Sequence, residues 1–168
     1  MALTLGQFNE MVDQHGAVIY RTAYRLVGNA HEAEDMVQET FRSAWRSRER
    51  FEEGRGTRAW LIAILRRRVA DFWRRSRPSV VSTTGTEINA EYQADDPFRD
   101  EFTDEMQKGL DSLPDSMREA LLLVIVAELT HQEVADLLDV PLGTVLSRVS
   151  RARNRLRKYF NQLAAEST

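Results

Sequence analysis

The stretch Glu128–Lys158 reads ELTHQEVADLLDVPLGTVLSRVSRARNRLRK, and its punctuation decides the fold. Thr130 followed by Glu133 has the form of a capping box, in which each side chain satisfies a backbone amide at a helix start. Val134, Ala135, Leu137 and Leu138 then give a short helix one apolar face. Val140-Pro141-Leu142-Gly143 stops it, because proline cannot continue the hydrogen-bond ladder and glycine permits a tight turn. Thr144 is positioned to cap the next helix, whose apolar stripe is Val145, Val149, Ala152, Leu156 and Phe160.

Two capped helices across a tight turn form a helix-turn-helix, whose second helix can enter the major groove of DNA. The outward face of that second helix carries Ser147, Arg148, Ser150, Arg151, Arg155 and Lys158, and no acidic residue occurs from Leu142 to Ala165. An ordinary helix pair with a solvated basic face is the plainer reading. The coincidence of capping, turn and charge favours DNA.

The whole composition agrees less obviously. The chain has 168 residues, 42% hydrophobic and 29% charged, which suits one or two small domains. Its net charge of −3 does not by itself suggest a nucleic-acid binder, but acids and bases are segregated along the chain. Cysteine is absent, so no disulfide and no thiolate metal site is expected. His15, His31 and His131 lie far apart without ligand spacing, and no metal or cofactor is expected. No signal peptide or membrane-length apolar run is apparent, since Ala120 to Ala127 is too short to span a bilayer, and a cytoplasmic location follows as an expectation.

Towards the front, Phe8, Met11, Val12, Ile19, Ala23 and Leu26 recur at helical spacing, which predicts a helix from about Leu5 to Val27 ended by Gly28-Asn29. Asn29 can cap a second helix with the stripe Ala33, Met36, Val37, Phe41, Ala44 and Trp45. Its other face holds Asp35, Gln38, Glu39 and Arg42. By residue type alone that face is simply solvated. Phe51 to Ala59 reads as a loop with two glycines, and Thr57 as the cap of a third helix reaching about Arg75. That helix has apolar positions Trp60, Leu61, Ile64, Leu65, Val69 and Phe72, while Arg66, Arg67, Arg68, Arg74 and Arg75 fill its polar ones. Arginines among aromatics suit phosphate neutralisation and base stacking, although Trp60 and Phe72 sit on the core stripe.

A polar stretch follows, then Asp95-Asp96-Pro97, and from Arg77 to Asp111 nine acids stand against Arg77, Arg99 and Lys108. This predicts a flexible acidic linker over residues 78–100, between an N-terminal domain (1–77) and a C-terminal domain (101–168). A helix is expected from Phe98 to Ser112, then Leu113-Pro114, then a central buried helix from Asp115 to Ala127, whose β-branched Val124-Ile125-Val126 would also suit a strand. The expected fold is therefore all-α, in two small helical domains.

Two groups of residues resemble one family. Gly143-Thr144-Val145-Leu146-Ser147-Arg148, Arg151-Ala152-Arg153 and Leu156-Arg157 resemble the fourth conserved region of bacterial sigma factors, in particular the extracytoplasmic-function (ECF) group of the sigma-70 family. Glu34-Asp35-Met36-Val37-Gln38-Glu39-Thr40-Phe41 with Ala44-Trp45-Arg46 resembles their second region. The resemblance covers roughly Phe8 to Arg77 and Leu113 to Lys158. It implies a subunit that carries RNA polymerase core enzyme to promoter DNA, with an anti-sigma protein as a further partner. Asp35, Gln38 and Glu39 match positions that dock on the polymerase. The loop and third helix correspond to the part that opens the −10 (proximal) promoter element, which implicates Arg55, Thr57, Arg58, Trp60, Arg66 and Arg67. Thr144, Ser147, Arg148, Ser150, Arg151, Arg155 and Lys158 correspond to the reader of the −35 (distal) element. Two departures stand out: relatives often carry a basic residue where this chain has Leu146, and an asparagine where it has Arg67.

Two other classes of function fit parts of the pattern. A simple helix-turn-helix regulator would account for Thr130–Lys158 but has no need of the Asp35-Gln38-Glu39 face or the arginine-rich helix. A hydrolase using Glu52-Glu53 or Asp95-Asp96 lacks a nearby histidine, metal site or phosphate-cradling loop, and an enzyme is not expected.

Overall fold

The computed structural model describes residues 2–76 and 104–168, and throughout these the secondary structure is helical. There are seven α-helices among the described residues, in two compact units with α1 to α3 in one and α4 to α7 in the other. The expected linker over 78–100 and the expected start of a helix at Phe98 lie outside the described residues.

In the first unit, α1 (Leu5–Val27) starts at a full capping box between Thr4 and Gln7 and ends at Gly28, whose φ of 74° is one that glycine adopts without steric cost. The Gly28 N–H donates to the Tyr24 carbonyl at 2.8 Å and closes the last turn. Asn29 caps α2 (Ala30–Arg46) by accepting from the Glu32 amide at 3.1 Å. The third helix, α3, spans Thr57–Ser76. These three helices pack on one another around Ile19, Leu61, Ile62 and Leu65, all fully buried. Phe8 of α1 lies against Trp45 and Phe41 of α2, with ring centroids 5.0 and 6.3 Å apart. The buried hydroxyls of Thr22 and Thr40 donate to carbonyls one turn back, Val18 at 2.8 Å and Met36 at 2.7 Å. That internal pairing lets a polar side chain sit in the core.

The second unit is built on its last helix, α7 (Leu142–Glu166), against which α4 (Asp104–Asp111), α5 (Asp115–Ile125) and α6 (His131–Leu138) all pack. Leu110, Leu121, Leu123, Val134 and Val145 are fully buried there. Val124 to Val126 continues and closes a helix rather than forming a strand. Arg118 reaches from α5 to the end of α4, where its guanidinium donates to the carbonyls of Leu110, Asp111 and Leu113 at 3.0 to 3.2 Å. Leu110 and Asp111 belong to the last turn of α4, where carbonyls lack the next turn's amides, and Leu113 follows it, so one side chain fixes the α4–α5 corner.

Three helix ends differ from expectation. Thr57 is already the first residue of α3, and the flanking position is Gly56, with φ 75° and its carbonyl accepting from the Trp60 amide. Thr144 does not cap α7. The helix begins at Leu142, Pro141 occupies the cap position, and the Thr144 N–H donates to the Pro141 carbonyl from inside the first turn. Nor does proline end α6. Asp139 does, in the left-handed conformation (φ 54°, ψ 50°), with its N–H on the Ala135 carbonyl. Proline at both Pro114 and Pro141 thus opens the next helix, where its missing N–H costs nothing and its fixed φ suits the approach.

Candidate functional site

Three surfaces gather the residues singled out above. The first lies on α2. Asp35, Gln38, Glu39, Arg42 and Arg46 fall at helical steps on one side, and the last four form a connected polar network. Glu39 pairs with Arg42 and Arg46, each at 3.7 Å, and accepts from the Ser43 hydroxyl at 3.5 Å. Gln38 accepts from Arg42 at 3.4 Å, and Asp35 lies 3.8 Å from the His31 imidazole. Asp35 and Gln38 are exposed, whereas Glu39 is half-buried. Such surface pairs contribute little to stability, so the network leaves its groups available to a partner that offers better geometry.

The second surface joins the Phe51–Ala59 segment to α3. Phe51 is buried and its ring packs on Trp60, with centroids 5.1 Å apart, pinning the segment to the helix. Two short 3-10 turns, Arg48–Arg50 and Glu53–Arg55, flank Phe51, so the segment expected as a loop contains a turn of helix at Glu53–Arg55. Arg48 stacks over the Trp45 ring at 4.4 Å and donates to the Trp45 carbonyl, fixing the entry. A side chain added at Gly54 would meet open space. Thr57, Arg58, Trp60 and Arg66 are half-buried along the start of α3, and Arg67 is exposed. Arg58 acts on half-buried His15 of α1, whose pKa is held below the usual histidine value by desolvation first and by the Arg58 charge second. Arg68 does not belong to the outward basic set. Its guanidinium donates to the buried Ser43 hydroxyl of α2 at 2.7 Å and pairs with Asp71, so it joins helices rather than facing a ligand. Sequence reading missed this link because Ser43 lies on no apolar stripe.

The third surface is the helix-turn-helix, α6 and α7 joined through Asp139-Val140-Pro141. Thr130 accepts from the Glu133 amide at 3.1 Å, so its half of the expected capping box forms. Val145, Val149 and Ala152 are buried, which turns the opposite side of α7 outward. Ser150, Arg151, Arg155 and Lys158 are exposed there, and Thr144, Ser147 and Arg148 are half-buried. Gly143 has open space around it, so the backbone at the helix start can approach a ligand closely. Among the described residues no group of histidines and acids is placed to hold a metal ion, and no helix is long and apolar enough to cross a membrane.

Comparison with known proteins matches these units to one family. Sigma-70 region 2 matches residues 11–78 and sigma-70 region 4 matches residues 103–156. The ECF RNA polymerase sigma factor SigW of Bacillus subtilis is 32% identical over 93% of this chain and 90% of its own length. The chain belongs to the ECF group of the sigma-70 family. SigE of Mycolicibacterium smegmatis, also an ECF RNA polymerase sigma factor, is 36% identical over 95% of this chain, which spans 64% of that relative's length. Among solved structures, the sigma factor RpoE of Bartonella quintana, in complex with the anti-sigma factor NepR, superposes with a TM-score of 0.72 at 26% identity, over 94% of this chain and 98% of that one. CnrH in complex with the cytosolic domain of CnrY gives the same TM-score at 24% identity and shares the fold.

Proposed function

We propose that this sigma factor directs promoter-specific initiation by RNA polymerase through a division of labour between its two units. The α2 face of Asp35, Gln38 and Glu39 docks on the core enzyme, its carboxylates and amide exchanging Arg42 and Arg46 for basic groups of the polymerase. The Phe51–Ala59 segment takes a base out of the proximal element, a step that costs a few kcal/mol and needs a receiving pocket. Arg55, Thr57, Arg58 and Trp60 contact the proximal element, and Arg66 and Arg67 hold the displaced strand. The start of α7, with Thr144, Ser147, Arg148, Ser150 and Arg151, reads the distal element in the major groove, while Arg155 and Lys158 meet phosphates. Residues 1–77 and 101–168 act as the two functional domains, with 78–100 as their tether. The chain works in the cytoplasm. An anti-sigma protein holds it inactive, by analogy with the complex formed by RpoE of Bartonella quintana.

The observation that carries this reading is the pairing of both sigma-70 regions, in order, with an exposed acid–amide face in the first unit and a helix-turn-helix in the second. A simple helix-turn-helix regulator has no use for the first unit. Run-off transcription from a genomic library with purified core polymerase tests it. The expected result is a discrete set of start sites that appear only when this chain is added. Failure to bind core polymerase, with duplex binding intact, would return the protein to the class of simple regulators. Exchanging Glu52 to Arg58 for glycine and serine, with Phe51 kept, should still allow closed complexes but abolish the permanganate-reactive thymines of an open promoter. Undiminished reactivity would move base capture elsewhere.

A further inference from the structure

The distal-element reader has one outward residue that its chemistry sets apart. Leu146 is 46% exposed and Leu142, one turn earlier, is 39% exposed, both at the start of a helix whose other exposed residues as far as Lys158 are glycine, serine, asparagine and basic groups. A single exposed leucine is ordinary on a protein surface. Its position here is less so, because Leu146 stands beside Ser147 and one turn before Ser150, in the first two turns that a recognition helix inserts deepest into the groove. A leucine can neither donate to nor accept from a base edge, and it gains nothing from a phosphate. The major groove offers one apolar feature that fits it, the 5-methyl group of thymine.

We infer that Leu146 is a specificity-determining residue that selects thymine at one position of the distal element through its methyl group, with Leu142 extending the apolar flank. The inference rests on the reading of α7 as the distal-element helix. The basic residues Arg148 and Arg151 on the same turns supply sequence-independent attraction and guanine-directed donors, so the leucine contributes discrimination rather than bulk affinity. Because Leu146 is exposed and the core contacts of α7 come from Val145, Val149 and Ala152, it can be replaced without disturbing the fold.

The experiment uses the full chain assembled with core polymerase. Distal-element duplexes are first selected from a randomised pool. Each selected thymine is then replaced singly by deoxyuridine, which removes only the methyl group. One replacement should weaken binding by about fourfold, the factor for withdrawing one methyl-sized apolar group from contact, and Leu146→Ala should abolish that penalty. Leu146→Arg should shift the preference at that position from thymine towards guanine. Indifference to deoxyuridine at every thymine, or an equal penalty in the Leu146→Ala protein, overturns the inference and leaves the distal-element reading intact. If the pool yields no distal preference at all, and Arg151→Ala has no effect, the reading of α7 and this inference fall together. Weakened assembly of Leu146→Ala with core polymerase, without altered methyl dependence, would assign the leucine to a protein contact and overturn it equally.

Discussion

Arg67 and Arg68 are neighbours of the same type with opposite employment, and only the fold separates them. Arg68 is held by the buried Ser43 hydroxyl and by Asp71, while Arg67 faces solvent. Arg68→Ala should therefore cost the first unit about 1–2 kcal/mol in urea unfolding, since a charge-assisted hydrogen bond is lost and the buried Ser43 oxygen loses its donor. Arg67→Ala should stay within about 0.5 kcal/mol of the parent, as exposed substitutions do. Its effect belongs to DNA: arginine offers donors only, so Arg67→Asn should change promoter preference at the proximal element and leave core binding alone. His15 supplies a pH test at the same scale. Its folded pKa is depressed, so the unfolded chain binds the proton more readily, and stability falls as the pH drops below the unfolded value. Thermal unfolding of the parent should lose more stability between neutral and mildly acidic pH than His15→Asn does; equal losses would remove His15 from the account. The exposed arginines were legible as a basic group, but the tie between Ser43 and Arg68 spans 25 positions and has no local sequence sign.

At the scale of elements, helix starts governed by local side chains could be read directly. Asn29 and Thr130 accept from the amides three residues on, as their spacing implies. Thr144 and Thr57 misled because a threonine near proline or glycine looks like a cap whether it precedes the helix or already lies in its first turn. The decision is made by backbone angles at Pro141 and Gly56, which the threonine does not report. Packing between elements was less visible still. Gly109 of α4 lies against α7 so closely that an added Cβ would stand 3.1 Å from Leu156, 3.2 Å from Tyr159 and 3.3 Å from Phe160. An alanine would press on three side chains at once, and a valine cannot be accommodated without moving α4. Gly109→Val should destabilise the second unit by about 1–3 kcal/mol, the usual range for overpacking. Denaturant midpoints check this, and an unchanged midpoint would show that α4 docks too loosely to matter.

The whole molecule segregates its charges along the chain and by helix face, and this makes its interactions separable in experiment. A net charge of −3 conceals a long stretch of α7 without acids and an arginine-rich α3, so affinity for DNA depends on local fields rather than on the total. Each unit also has its own core, one built on Ile19, Leu61 and Leu65 and the other on Leu121, Val134 and Val145, so damage to one interface need not propagate to the other. Replacing Asp35, Gln38 and Glu39 together by alanine should weaken core binding by about 1–3 kcal/mol while helical content and duplex binding persist. The loss is partial because Glu39 already spends its charge on Arg42 and Arg46 in the free protein, so docking gains only the difference between those pairs and the ones made with the polymerase. The reverse pattern should hold for the second unit. Arg151→Ala should leave core binding untouched, cost about 1–3 kcal/mol on the preferred duplex and relax selection at one or two base pairs. Lys158→Ala should instead lower affinity for all sequences alike and reduce the slope of log affinity against log salt by about one. Titrations of each variant against core polymerase and against duplexes at several salt concentrations would reveal the double dissociation. If Arg151→Ala reduced affinity equally for every sequence, α7 would be gripping the backbone alone, and base selection would have to come from elsewhere on the helix-turn-helix.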